Sequence, residues 1–130
     1  EGVQIGTLFA LAAESSASDE YKRMCTSLNE GDTMLCLKKI SPTRLVKNAL
    51  YNKVAEAEAA GADADTLRAI MGKAASKRGI FEGDVENGEI EIGQIASAIK
   101  SIDTVADIFA RLDQEYNERL SKIETYARKD

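Results

Sequence analysis

EGVQIGTLFA, residues 1–10, is the stretch whose reading decides the fold. Val3 and Ile5 are β-branched, and Gly6-Thr7 breaks the run just before a further apolar stretch, so a strand that ends in a tight turn is expected. Gly6 has no Cβ, which lets an anion approach the backbone closely. If the next residues open a helical turn, their N–H groups and the positive end of the helix dipole point at that anion. In (β/α)₈ barrels this arrangement holds a phosphate after the seventh and eighth strands. On four residues alone, an ordinary strand-to-helix turn is the commoner reading. No later segment makes a strand partner of equal quality: TMLCLKKI (33–40) and EIEI (89–92) read either as strands or as extended connectors. A lone strand leaves its backbone groups unpaired, so its neighbours are expected to lie upstream.

Outward from this strand the signals are helical. SASDEYKRMCTSL (16–28) carries acids in its first turn and Tyr21, Met24, Cys25 and Leu28 on one face. Ser41-Pro42 reads as an N-cap and first helical residue of a helix running to Ala60, with Leu45, Val46, Ala49, Leu50 and Val54 inward and Gly61 as its stop. On that helix Arg44 and Asn48, four apart, share a face. A third helix is expected from Asp63 or Asp65 to about Lys77, with Leu67, Ile70, Met71 and Ala74 inward and Gly79 ending it. The turn-rich EGDVENGEIEIG (82–93) has five acids and no base. A short helix fits Gln94–Lys100. Asp103 then caps a long one whose Val105, Ile108, Phe109, Leu112, Tyr116, Leu120, Ile123 and Tyr126 recur at three and four residues, a face for a core or an interface.

Composition excludes several chemistries. The chain has 130 residues, no His and one Pro, so a Ser-His-Asp triad, a Cys-His pair and a His-ligated metal cannot be built within it. Seventeen Lys and Arg against 22 Asp and Glu give a net charge of −5, which disfavours nucleic acid and anionic membranes as partners. No apolar run is long enough to span a bilayer, and a soluble, cytoplasmic protein is expected. Cys25 and Cys36 lack a His or a basic cluster near them in sequence to lower a pKa, so free thiols, buried or inert, are expected. No two glycines are separated by a single residue, which removes the GxGxxG turn. Asp84, Glu86, Glu89 and Glu91 are the paired-carboxylate candidates. A solvated loop is the preferred reading of them, because acid–base work needs a desolvated site.

EGVQIGT with Phe9 resembles the last barrel strand of the nitronate monooxygenase family, formerly the 2-nitropropane dioxygenases, which includes the flavin-dependent enoyl-acyl carrier protein reductases. Further matches follow in order: Tyr21-Lys22, then Pro42, Arg44 and Asn48 as Pro-x-Arg-x-x-x-Asn, then Gly83-Asp84, Gly88 and Gly93-Gln94. The resemblance implies an α/β fold, the C-terminal part of an FMN-binding TIM (β/α)₈ barrel, mostly helical here with one strong N-terminal strand. Residues 1–10 would be the last strand and phosphate turn, 11–80 a helical excursion, 81–93 an acidic Gly-containing loop and 94–130 C-terminal helices. It implies that Gln4, Gly6 and Thr7 bind the FMN phosphate and that Gln94 lies on the flavin or substrate side. Leu8 stands where relatives commonly carry Arg, and the family's catalytic His is expected upstream of Glu1.

Three functions are carried forward. The first is oxidation of an alkyl nitronate by dioxygen on FMN. The second is reduction of an enoyl thioester, bound to acyl carrier protein, with NAD(P)H as electron donor. The third is a non-catalytic helical interaction module. The partners expected are a small-molecule substrate or an acyl thioester, and a second subunit or the barrel against the last helix.

Overall fold

The computed structural model of the chain describes residues 2–127. The element order is α1 (Thr7–Ala10), α2 (Asp19–Ser27), β1 (Thr33–Cys36), β2 (Thr43–Val46), α3 (Ala49–Ala59), α4 (Ala64–Met71), a π turn (Lys77–Phe81), a 3₁₀ turn (Gln94–Ala98) and α5 (Val105–Ala127). The expected N-terminal strand does not form. Residues 2–6 have no regular structure, and Val3 is 87% exposed. Nothing among the described residues pairs with them, and an unpaired strand leaves its N–H and C=O groups to water.

The two strands lie instead within the expected helical excursion. β1 and β2 pair antiparallel, with Thr33 opposite Val46 and Cys36 opposite Thr43. Pro42 therefore does not open a helix; it precedes the first residue of β2, a position where its missing N–H is tolerated. Cross-strand pairing of β-branched Thr43 and Val46 outweighs the local Ser-Pro signal. α3 begins later, capped by Asn48, whose Oδ1 accepts from Tyr51 N–H at 3.0 Å. Arg44 and Asn48 consequently share no helix face. The segment 90–92 lies along the other edge of β2: Leu45 bridges Glu91, and Val46 N–H donates to the Ile90 carbonyl at 2.9 Å.

β2 divides two apolar cores. Val46 faces the first, with Leu11, Tyr21, Cys25, Leu28, Ile90, Ile92 and Ala96. Leu45 faces the second, with Cys36, Leu50, Val54, Leu67, Met71 and Ala75. The alternation of Ile90 and Ile92 with Glu89 and Glu91 accordingly buries the isoleucines. α2 starts at Ser18, whose hydroxyl accepts from Tyr21 N–H at 3.2 Å, and α4 at Asp63, whose carboxylate accepts from Thr66 N–H at 2.8 Å.

Three further expectations are corrected. α4 stops at Met71, because Gly72 takes φ +69° there, and Ala75 rather than Ala74 is buried. Gly79 ends no helix: it lies inside the π turn, where a Cβ would collide with the Glu89 carbonyl. α5 is capped by Thr104, whose Oγ1 accepts from Asp107 N–H at 3.1 Å, while Asp103 accepts from Arg111 at 2.7 Å. The Glu14 carboxylate also accepts from Val105 N–H, at 3.0 and 3.1 Å. Of the α5 face, only Ile108 is buried. Phe109 stacks at a tilt on Phe9 with ring centroids 5.4 Å apart, and Tyr116, Leu120, Ile123 and Tyr126 are exposed. No described helix is long and apolar enough to cross a membrane.

Candidate functional site

Gly6 ends the irregular segment and takes the N-cap position of α1 at φ −87°, ψ −61°, without a side-chain cap. The first backbone bond of the turn runs from Ala10 N–H to the Gly6 carbonyl at 2.9 Å. The N–H groups of Thr7, Leu8 and Phe9 therefore have no intrahelical acceptor, as in any first turn. Gly6 is exposed, and a Cβ there would meet nothing within 4 Å, so the approach to these donors is open.

A cavity of about 730 Å³ lies along the turn, lined by Gln4, Gly6, Thr7 and Leu8 on one wall and by Ile95, Ile99 and Arg111 on another. The structure thus brings Gln4, Gly6 and Thr7 together. Both cations at this cavity are engaged elsewhere: Arg111 pairs with Asp103 at 2.7 Å, and Lys100 donates to the Leu28 carbonyl. The Ser101 hydroxyl, and then the Arg111 guanidinium, hold the Asp103 carboxyl below its usual range. An anion at this turn would rest on backbone donors, which Leu8 supplies as well as Arg would. Gln94 is placed apart. It is exposed and lines a separate hollow with Asn29 and Thr33, although its neighbour Gly93 reaches the turn.

That reach is the feature sequence reasoning missed. Gly93 N–H donates to Thr7 Oγ1 at 3.2 Å, across 86 residues of chain, and a Cβ on Gly93 would collide with that oxygen. Nothing local in either segment signals the contact. The remaining motif residues prove to be fasteners. Tyr21 Oη donates to the Glu91 carbonyl at 2.8 Å, and burial raises its hydroxyl pKa well above the ordinary value. Buried Lys22 donates to the carbonyls of Ala13 and Ser15 at 3.0 and 2.8 Å. Asn48 Nδ2 donates to those of Val85 and Gly88 at 2.8 and 2.9 Å, tying down the acidic loop. A Cβ on Gly88 would collide with the backbone of Gly79. Gly83 takes φ +80°, where glycine avoids the strain of a side chain.

The acids of 81–93 are not gathered for catalysis. Asp84 accepts from Asn87 N–H at 2.9 Å and Glu89 from the Ser76 hydroxyl at 2.6 Å. Burial, and then the neighbouring Glu89, raises the Glu91 pKa. Cys25 and Cys36 are free and buried, and burial pushes their thiols up to about 12 and about 11.

The irregular segment 2–6 thus ends in a turn with open backbone donors, whose Thr7 hydroxyl is held by Gly93. Residues 1–115 match the nitronate monooxygenase family, and the chain belongs to it. It is similar in structure to FabK from Thermotoga maritima, with a TM-score of 0.85 and 28% identity over 97% of this chain and 40% of that one. Similarity to the M276A mutant of the same protein has a TM-score of 0.76 and 27% identity, over 97% of this chain and 37% of that one. The chain therefore spans well under half the length of these relatives. No curated protein matches it.

Proposed function

We propose that the chain is the C-terminal part of an FMN-dependent oxidoreductase built on a TIM barrel, with nitronate oxidation by dioxygen as its reaction. Family membership over residues 1–115 supports this, and the Gly6–Thr7 turn is the observation that carries it. The residues present fit half of a phosphate cradle: an open glycine, a first turn of unengaged N–H groups, and a hydroxyl anchored by Gly93. Gln4, Gly6 and Thr7 would hold the phosphate of FMN through backbone donors. Gln94 would serve the flavin or substrate side from its neighbouring hollow. Bound there, the flavin would supply a two-electron carrier between substrate and acceptor. Residues 11–100 would cover that site and exclude water, through the clamps of Tyr21, Lys22 and Asn48. The proton-transfer group would come from the rest of the protein.

The second reading, FMN- and NAD(P)H-dependent reduction of an enoyl thioester, is favoured by the likeness to the FabK structures. The exposed stripe of α5 would then, on either reading, cover the barrel or meet a second subunit. The test is the full-length protein, purified and mixed anaerobically with NAD(P)H in a stopped-flow instrument. Yellow protein with slow bleaching supports the oxygenase, and rapid bleaching the reductase. Protein that is colourless and stays so after FMN is added refutes both and leaves the interaction module.

A further inference from the structure

We infer that Arg44 is an oxyanion anchor: the hollow between the Gly6–Thr7 turn and the Glu91–Gly93 segment takes an anionic group of the enzyme's second ligand on its guanidinium. The hollow measures about 500 Å³, within the range of small-molecule sites. It shares Gly6 and Thr7 with the flavin cavity but opens on their other side, toward Ser15, Tyr21, Arg44 and Phe81.

Arg44 lies in β2 two residues before Val46, on the strand face that borders the first core. It is half-buried, and its Nη1 makes only long bonds to Thr33, at 3.4 Å to the carbonyl and 3.3 Å to the hydroxyl. No carboxylate among the described residues lies within 4.0 Å of it, whereas Arg23, Arg68 and Arg111 each have one. Arginine carries five donors, and these two long bonds to Thr33 engage only one of its three nitrogens, leaving donors for a ligand.

Glu91, an acid on the same hollow, does not accept from Arg44. It forms no ion pair among the described residues, with Arg44 or with any other cation. The Tyr21 hydroxyl is committed to the Glu91 carbonyl. Arg44 Nε and Nη2 make no hydrogen bond among the described residues, and its planar fork matches the two oxygens of a nitronate, carboxylate or phosphate. Phe81, 53% exposed at the rim, adds an apolar wall for the attached group.

The assignment rests on the flavin reading of Gly6–Thr7. The oxyanion has two possible sources, an alkyl nitronate or the phosphates of NADPH, and the test separates them. Full-length wild type, Arg44→Gln and Arg44→Lys are titrated anaerobically by calorimetry with ethylnitronate and with NADPH, and their FMN content is read from absorbance. Arg44→Gln is expected to keep FMN and to weaken one probe by about tenfold or more, with partial recovery in Arg44→Lys. The probe that weakens identifies the source. Unchanged binding of both probes by flavin-loaded Arg44→Gln overturns the anchor.

A second measurement needs no variant. Phenylglyoxal modification of Arg44 in the wild type, read by peptide mass spectrometry, should be slowed by ethylnitronate, NADPH or inorganic pyrophosphate. Equal rates with and without all three overturn the assignment. Absence of flavin, read separately in the absorbance, refutes the proposed function instead.

Discussion

Asn48 is the residue whose replacement tests the architecture most directly. Its Oδ1 caps α3 through Tyr51 N–H at 3.0 Å, and its Nδ2 donates to the Val85 and Gly88 carbonyls at 2.8 and 2.9 Å. Loss of an N-cap costs about 1 kcal/mol. Each lost amide–carbonyl bond costs about 1 kcal/mol net, and more where the carbonyl is left buried and unpaired. Asn48→Ala is therefore expected to cost about 3 kcal/mol, a large share of a domain stability of about 5–15 kcal/mol. Two further variants separate the contributions. Asn48→Ser keeps a capping oxygen and loses the donors, so it should cost about 2 kcal/mol. Asn48→Asp keeps the cap but sets a carboxylate against two carbonyl oxygens, and should be the least stable. Urea unfolding followed by circular dichroism gives the order, and hydrogen exchange should show amides 85–92 opening first. An Ala variant within about 0.5 kcal/mol of wild type, or an Asp variant as stable as Ser, would refute the clamp.

Two further outcomes follow from the same geometry. Gly93→Ala should weaken FMN binding by the full-length protein about tenfold, because the new Cβ collides with Thr7 Oγ1 and displaces the turn; fluorescence titration of the flavin checks it, and unchanged affinity would detach Thr7 from the phosphate. The cysteines predict an alkaline limit. Their thiols rise from an ordinary 9.0 to about 12 and about 11 on burial, so the stability they contribute is complete below pH 9 and lost as pH climbs through that window. At pH 8 native protein should react with a disulfide reagent only after denaturant is added, and immediate reaction of either thiol would contradict the burial.

The local signals were the legible ones. The burial of Tyr21, Cys25 and Leu28 follows from helical spacing, and Asp63 announces the start of α4 by the capping chemistry of its own side chain. Ile90 and Ile92 follow from period-two alternation. The Ser41-Pro42 start failed because helix and strand signals overlapped there, and pairing with Thr33–Cys36 settled the contest. Gly79, Gly88 and Gly93 were legible as a series but not as contacts, since each makes room for backbone or side-chain atoms of a distant segment. Of the proposed site, Gln4, Gly6 and Thr7 could be placed together because they are adjacent in the chain. Arg44 could not be brought to Thr7, because only the folded excursion puts them on one hollow.

The two largest departures from expectation have one physical cause. Residues 2–6 carry strand-forming side chains yet pair with no strand among the described residues, and α5 carries an apolar stripe yet buries only Ile108. The segment between them satisfies itself, with two cores on either side of β2 and its buried amides and charges tied to carbonyls. A strand needs a neighbour to pair with and a covering helix needs an apolar surface beneath it, and a barrel wall would meet both demands. They also lie together, since Gln4 and Leu8 face Arg111 and Leu112 across one cavity, and Phe9 meets Phe109. The Gly6–Thr7 turn stands at the joint between the self-sufficient excursion and these two unpartnered elements. Clamping at Thr7–Gly93 therefore fixes the donors from the excursion side, independently of whatever completes the barrel.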